Sequence, residues 1–368
     1  MRVLLVVTHM NRGGLETMLM NYYRHIDRSK VQFDFLTHRE NRCDYDDEIE
    51  ILGGKIYRLP TLNPWSIKYR RALSDFFAKH SNYKVVHVHQ DCMSSVILKE
   101  AAKHNIPMRI AHSHNSNQDK NIKYLVKLFY RHYIPRYATK LFACGEKAGK
   151  WMFRGANFEI MNNAIDSQMY VFNDAKRQEQ RNYLKIDQTC ILIGHVGRFS
   201  YAKNHSFLID VFEKVCNKVE AKLLLVGDGQ LCKQIKNKVN ALNLSDRVIF
   251  TGVRDDVSDL MQAMDVFLFP SIYEGLPVTL IEAQASGLPC IISDKVPIEC
   301  KKTDLVEQIA LKEDAENWAN EIIKFVQTKR RNTYDDIKNS GFDIRENAKK
   351  LQEFYLTTQK KEGNECLY

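Results

Sequence analysis

Two carboxylates, Glu274 and Glu282, stand eight residues apart in the stretch from Val266 to Pro289. The apolar run Val266 to Phe269 has the length of a buried strand, and Pro270 and Gly275 break it. Beyond the break, Leu276, Leu280, Ile281 and Ala285 fall on one helical face, with Pro277 in the first turn and Gly287 and Pro289 as stops. The stretch therefore reads as strand, turn and helix, with Glu274 in the turn and Glu282 inside the helix. A helix N-terminus offers unpaired N–H groups and a positive dipole end to a phosphate. Gly275 lets backbone come close to such a ligand. Glu282, about two turns further on, has the reach of a carboxylate accepting hydrogen bonds from ribose hydroxyls. Glu274 is placed to touch whatever hangs beyond the phosphates. A surface Glu at a helix start is also favoured by the dipole alone, so a purely structural reading of this stretch stays open.

A second loop carries cations. The strand Cys190 to Val196 runs into Gly197-Arg198, and Lys203-Asn204 leads into a helix from about His205 to Asn217. Arg198 as a planar fork and Lys203 as a point charge can neutralise a diphosphate leaving group. Two solvent-facing basic residues are the alternative.

The first half repeats the strand–loop–helix theme. Val3 to Thr8 is a strand, His9 to Gly14 a loop, and Leu15 to Ile26 a helix. The G-x-G-x-x-G spacing of a dinucleotide site is absent, which disfavours an NAD-dependent oxidoreductase. Val85 to His89 reads as a strand with His87 and His89 on one face. His89 then falls at a strand's C-terminal end, where α/β proteins place ligands. The segment from Pro107 is another short strand, ending in His112 and His114. Asp44 and Asp46 make an Asp-x-Asp, a pattern that can hold a cation. Acidic residues are expected in a first helical turn anyway, and the structural reading is preferred.

Lys120, Lys123, Lys127, Arg131, Arg136 and Lys140 alternate with Tyr124, Leu125, Leu128, Phe129 and Tyr133. A basic amphipathic helix over 120–140 could lie on an anionic membrane surface. An ordinary helix with a solvated basic face fits the same pattern.

The chain of 368 residues is long enough for two domains. Its hydrophobic and charged shares, 44% and 27%, are those of a globular protein. No apolar run has membrane-spanning length, and the N-terminus reads as a strand rather than a signal peptide. The nine cysteines form no Cys-x2-Cys pair, so reduced cytoplasmic thiols are expected and a cysteine zinc site is not. The net charge of +9 is uneven: basic residues exceed acidic ones by ten over residues 1–170 and fall one short over the rest. Such a half suits an anionic acceptor or a membrane surface; no nucleic-acid-binding motif stands out.

Glu274-x7-Glu282, with Pro270-Ser271-x-x-Glu274-Gly275 before it and Glu282-Ala-x-Ala-x-Gly287-x-Pro289 behind it, resembles glycosyltransferase family 4. The likeness extends over nearly the whole chain and is strongest from 194 to 290. It implies an α/β GT-B fold of two Rossmann-like doubly wound domains facing a central cleft. The implied N-terminal acceptor-side domain spans 1–168 and the nucleotide-sugar domain 169–345, with a last helix over about 346–360 crossing back. It implies a retaining, metal-independent transferase without cofactor. The donor would be a nucleotide diphosphate sugar, by default a UDP-sugar. The acceptor would be a glycan or a polyprenyl-diphosphate-linked saccharide of bacterial surface polysaccharide synthesis. Carried over residue by residue, Arg198 and Lys203 bind the diphosphate and Gly14 approaches it. Val253 and Arg254 lie in the base-reading loop, and Gly275 and Leu276 add N–H groups. Glu282 holds the ribose and Glu274 the sugar, with His112, or its neighbour His114, near the transferring sugar. His89 and His114 are acceptor-side candidates. A GT-B sugar-nucleotide epimerase is the alternative enzyme. The expected location is cytoplasmic, at the inner face of the plasma membrane if the basic helix docks there.

Overall fold

A computed structural model of the protein describes residues 1–114 and 123–365. They form two compact units, Met1–Ala164 with the segment from Ile344 onward, and Ile165–Asp343.

The first unit holds strands β1 (Arg2–Val7), β2 (Gln32–Thr37), β3 (Ile56–Arg58), β4 (Val85–Val88), β5 (Met108–Ser113), β6 (Lys140–Ala143) and β7 (Glu159–Ile160). They pair in parallel in the order β3-β2-β1-β4-β5-β6-β7. Helices cover both faces, so the central strands are apolar at nearly every position rather than at every second one. In β1, Val3, Leu5 and Val7 enter one core while Leu4 and Val6 enter the other. The last helix, Ile344–Glu365, belongs to this unit: Ala348, Leu351 and Tyr355 share a core with Met18, Tyr22 and Phe33.

The second unit holds β8 (Ile191–Val196), β9 (Ala221–Val226), β10 (Val248–Gly252), β11 (Val266–Phe269), β12 (Cys290–Ser293) and β13 (Val306–Ile309), parallel in the order β10-β9-β8-β11-β12-β13. Its entry and exit are tied together. Ile165 bridges to Asp343, and the Ser167 hydroxyl bonds to the Asp343 carboxylate.

In each sheet the chain winds outward to one side and then returns to the other. The reversal lies between β1 and β4 in the first unit and between β8 and β11 in the second. Loops leaving the C-terminal ends of strands at such a reversal splay apart and leave a crevice. The loops after β8 and β11 are the ones that carry Arg198, Lys203 and Glu274.

Two expectations are corrected. The helix after Glu274 begins at Val278, and Pro277 precedes it in extended conformation (ψ 102°), so Leu276 remains in the loop. The basic run is not one helix over 120–140. Lys123–His132 is followed by a separate turn, Ile134–Tyr137, and Lys140 opens β6. Pro135 has no N–H to continue the ladder, which ends the first helix. Lys120 lies outside the described residues.

Candidate active site

In the second unit the β8 and β11 loops are bonded to each other. The Ile272 N–H donates to the Ala202 carbonyl (2.8 Å), and the Asn204 amide to the Pro270 carbonyl (3.2 Å). This brings Lys203 Nζ to 2.7 Å from Glu274 Oε1, with both side chains largely buried. Nζ also lies 4.4 Å from the centre of the Phe269 ring, a cation–π contact that helps hold the ammonium in place. Arg198, five residues earlier in the same loop, is exposed, and no hydrogen bond or ion pair engages it among the described residues. The β9 loop supports this arrangement from behind. Gly227 takes φ +130°, and a Cβ there would sit 2.3 Å from the Gly197 carbonyl oxygen, so only glycine lets the two loops pack this closely.

Gly275 is exposed, with open space where a side chain would be. It precedes the eight-residue helix Val278–Ala285. The Thr279 hydroxyl is buried in that helix's first turn without a partner among the described residues. Glu282 lies three residues further on, on the same face. Burial pushes its carboxyl up to about 7, against the hydrogen bond from the Tyr170 hydroxyl, which favours the charged form. Tyr170 is itself raised well above the ordinary phenol range, by burial and then by the Glu282 charge. Neither Thr279 nor Tyr170 was singled out from sequence. Thr279 could have been, from its place in the first turn; Tyr170 reaches Glu282 from 112 positions away, and no local pattern signals that. Val253 is exposed, while the Arg254 guanidinium forks onto Asp256 (2.8 and 2.6 Å). What this loop offers a ligand is therefore backbone and the Val253 side chain.

In the first unit Gly14 opens the helix Gly14–His25 with empty space around it, while Gly13 is in ordinary extended conformation (φ −162°). Beneath the loop, Glu16 is buried 3.4 Å from His9, and burial raises its carboxyl. The Asp-x-Asp is structural. Asp46 is buried against Arg58 (2.5 Å) and accepts the Cys43 N–H, and Asp44 accepts the Arg12 N–H.

His87 and His89 on β4 and its end, and His112 and His114 on β5 and its end, gather into one array. Ring centres are 4.3 Å apart for His87–His89, 4.2 Å for His112–His114 and 5.3 Å for His87–His112. Register explains it: Val88 pairs with Ala111, so His89 follows beside His112, and the period of two puts all four on one sheet face. Burial holds all four rings neutral, His114 down to about 3. His112 is 1% exposed; His114 is the half-buried member at the edge.

Beside the β1–β4 reversal is a pocket of about 820 Å³ lined in part by Arg39, Trp65, Lys68, Tyr69, Gln90 and Lys127. One wall is a polar chain: Thr8 donates to Gln90, the Gln90 amide meets His38 (3.0 Å), and His38 meets the Tyr69 hydroxyl (2.9 Å). Burial depresses His38 to about 4, so this wall is uncharged at neutral pH.

The family model Glycosyltransferase Family 4 matches residues 12–168, and Glycosyl transferases group 1 matches 176–343. EpsF of Bacillus subtilis (strain 168), a protein assigned as a glycosyltransferase, is 37% identical over 99% of this chain and 98% of its own. The chain belongs to the glycosyltransferases. It is a transferase of the sugar-transferring class, and its two parallel-sheet units are those of the GT-B fold. A more distant family relative is the Escherichia coli UDP-Gal:alpha-D-GlcNAc-diphosphoundecaprenol alpha-1,3-galactosyltransferase, 23% identical over 82% of this chain and 84% of its own. Among solved structures, HepE of Anabaena in complex with UDP and glucose superposes with a TM-score of 0.73 at 16% identity, covering 100% of this chain and 99% of that one. Among the described residues, no helix of this glycosyltransferase is long and apolar enough to cross a membrane.

Proposed function

We propose that this glycosyltransferase moves a sugar, with retention, from a UDP-sugar to a lipid-linked diphosphate saccharide during surface polysaccharide synthesis. The observation that carries the reading is the Lys203–Glu274 pair at the strand-order reversal, with the exposed Arg198 in the same loop. Breaking a sugar–phosphate bond sheds negative charge onto the diphosphate. Arg198, Lys203 and the N–H groups around Gly275 and Leu276 are the positive groups that take up that charge. They serve where other sugar transferases use a cation, so the transfer step needs neither metal nor cofactor. The loop at Val253 and Arg254 meets the base through its backbone. Glu282 accepts from the ribose and Glu274 from sugar hydroxyls. Attack on the same face as the departing phosphate, assisted by that phosphate, accounts for retention. Of the first unit's histidines, His114 has the exposed edge, with His112 behind it and His89 bonded to it (2.9 Å).

The first-unit pocket suits the acceptor. Arg39, Lys68 and Lys127 answer a diphosphate, Trp65 stacks on sugars, and the Gln90–His38 wall supplies neutral hydrogen-bonding groups. On the helix Lys123–His132, Leu125 and Phe129 are one turn apart and 74% and 58% exposed, and Trp65 nearby is 66% exposed. Apolar groups exposed among basic ones are what an anionic membrane surface accepts. The reading thus places the enzyme on the cytoplasmic leaflet, beside its lipid-linked acceptor.

The test is transfer from labelled UDP-sugars to a polyprenyl-diphosphate saccharide after chelation. Transfer should proceed. Absolute dependence on added Mg²⁺ or Mn²⁺ would refute the charge assignment, and stabilisation by GDP but not UDP in a thermal-shift screen would refute the donor class.

A further inference from the structure

Four histidine rings share one buried face, and their hydrogen bonding is incomplete. His87 Nε2, His89 Nε2, both nitrogens of His112 and His114 Nδ1 are buried with no partner among the described residues. Buried polar atoms nearly always have partners, so five orphan nitrogens in one cluster call for an explanation. One nitrogen from each of His87, His89 and His112 lies within 4.8 Å of the others. We propose that His87, His89 and His112 bind a divalent transition-metal ion of the zinc type, with the fourth position facing His114.

The surroundings are those of a ligand set already oriented. The Tyr355 hydroxyl lies 2.7 Å from His87 Nδ1. With that N–H donated to the phenol oxygen, the Nε2 lone pair is left for a ligand bond, as outer hydrogen bonds do in histidine metal sites. His114 Nε2 lies 2.9 Å from His89 Nδ1 and plays the same part for the second ring. Three histidines with an open fourth position make a recurring zinc ligand set. On a tetrahedral ion, ligand nitrogens about 2.0–2.1 Å from the metal are roughly 3.4 Å apart, so rotation of the rings closes the observed spacing. An all-imidazole set without carboxylate selects Zn²⁺, Co²⁺, Ni²⁺ or Cu²⁺ over Mg²⁺, Mn²⁺ or Ca²⁺. The ion would join the ends of β4 and β5 and, through His87 and Tyr355, the C-terminal helix. It has no part in taking up the leaving-group charge, so the proposal stands whether or not the transfer reading does.

The experiment uses the full chain without a polyhistidine tag, stripped with chelator and titrated with Co²⁺. One equivalent should bind and give visible ligand-field absorption of a four- or five-coordinate ion, without the near-ultraviolet band of a cobalt–thiolate bond. Zn²⁺ should displace it and raise Tm, whereas Mg²⁺ should not. The double variant His89→Ala/His112→Ala should lose the absorption. Failure of the wild-type protein to bind Co²⁺ would overturn the proposal, and so would a thiolate band or an unchanged spectrum in the folded double variant. Should that variant not fold, the wild-type spectrum and the Zn²⁺-dependent Tm decide by themselves. Transfer that survives stripping would leave the metal site intact as a structural one, and loss of transfer restored only by Mg²⁺ would bear on the transfer reading instead.

Discussion

Replacing Glu282 by Gln should make the protein more stable and a poorer binder of its donor. Burial raises the Glu282 carboxyl from 4.5 to about 7. A carboxyl that is harder to ionise when folded binds more protons in the native state than in the unfolded chain between those two values. Stability therefore falls as pH rises from about 4.5 to about 7, and the full cost persists above. At about 1.4 kcal/mol per pH unit the ceiling is about 3 kcal/mol, and residual solvent contact of the half-buried side chain lowers it to about 2. Gln keeps an acceptor for the Tyr170 hydroxyl and has no charge to desolvate. Chemical unfolding of wild type and Glu282→Gln at about pH 5 and pH 8 should show little difference at the lower pH and about 2 kcal/mol in favour of the variant at the higher. Donor KM should rise in the variant, because the ribose loses its charged acceptor. In the wild type, donor binding should weaken as pH falls below about 7, where the carboxyl takes up the proton that the ribose hydroxyls must replace. A stability difference that does not depend on pH would show that this carboxyl carries no burial penalty, and unchanged donor KM would remove Glu282 from the ribose.

Arg198→Ala should lower kcat about 10²-fold or more with a smaller change in donor KM, as for other fixed groups that meet charge only in the transition state; steady-state kinetics with wild-type values would defeat the leaving-group role. Leu125→Asp/Phe129→Asp should abolish co-sedimentation with anionic liposomes at low salt while leaving transfer to a water-soluble acceptor analogue unchanged. Binding that survives the double change would remove that helix from the membrane. Trp65→Ala should raise acceptor KM several-fold and leave donor KM alone, since its ring lines the pocket of the first unit.

Most of the scaffold was legible because buried parallel strands are apolar at consecutive positions, as in β1, β8 and β11. Two strands lack this property and leave little signal in the sequence. β7 is two exposed residues, and β13 buries only Val306 completely. The loops that carry Arg198, Lys203 and Glu274 were legible as loops, because each follows an apolar strand. What was not legible is pairing across the sheet. Period two shows His87 with His89, and His112 with His114, but only the adjacency of β4 and β5 merges the two pairs into one array. Tyr170 against Glu282 is equally invisible, since the contact depends on where the helix Ser167–Tyr170 packs. Pro135, by contrast, marks in the sequence itself the break that divides the basic run.

The Lys203–Glu274 contact ties two proposed roles to one equilibrium. In this structure each group is the other's partner, at 2.7 Å and largely out of water. A diphosphate arriving at the loop competes with Glu274 for the ammonium, and the released carboxylate becomes available to accept from sugar hydroxyls. Glu274→Gln removes the competitor, so UDP alone should bind more tightly, by about 1–2 kcal/mol or roughly tenfold, the scale of a charge-assisted hydrogen bond. A UDP-sugar should not share the gain, because the acceptor for its hydroxyls is weakened at the same time. The ratio of UDP-sugar to UDP affinity, measured by calorimetry, should therefore fall in the variant although one of the two affinities rises. In Lys203→Ala the Glu274→Gln change should lose its effect on UDP, because the competition no longer exists. If Glu274→Gln weakens UDP and UDP-sugar alike, the carboxylate is holding the loop in shape rather than trading partners with the donor.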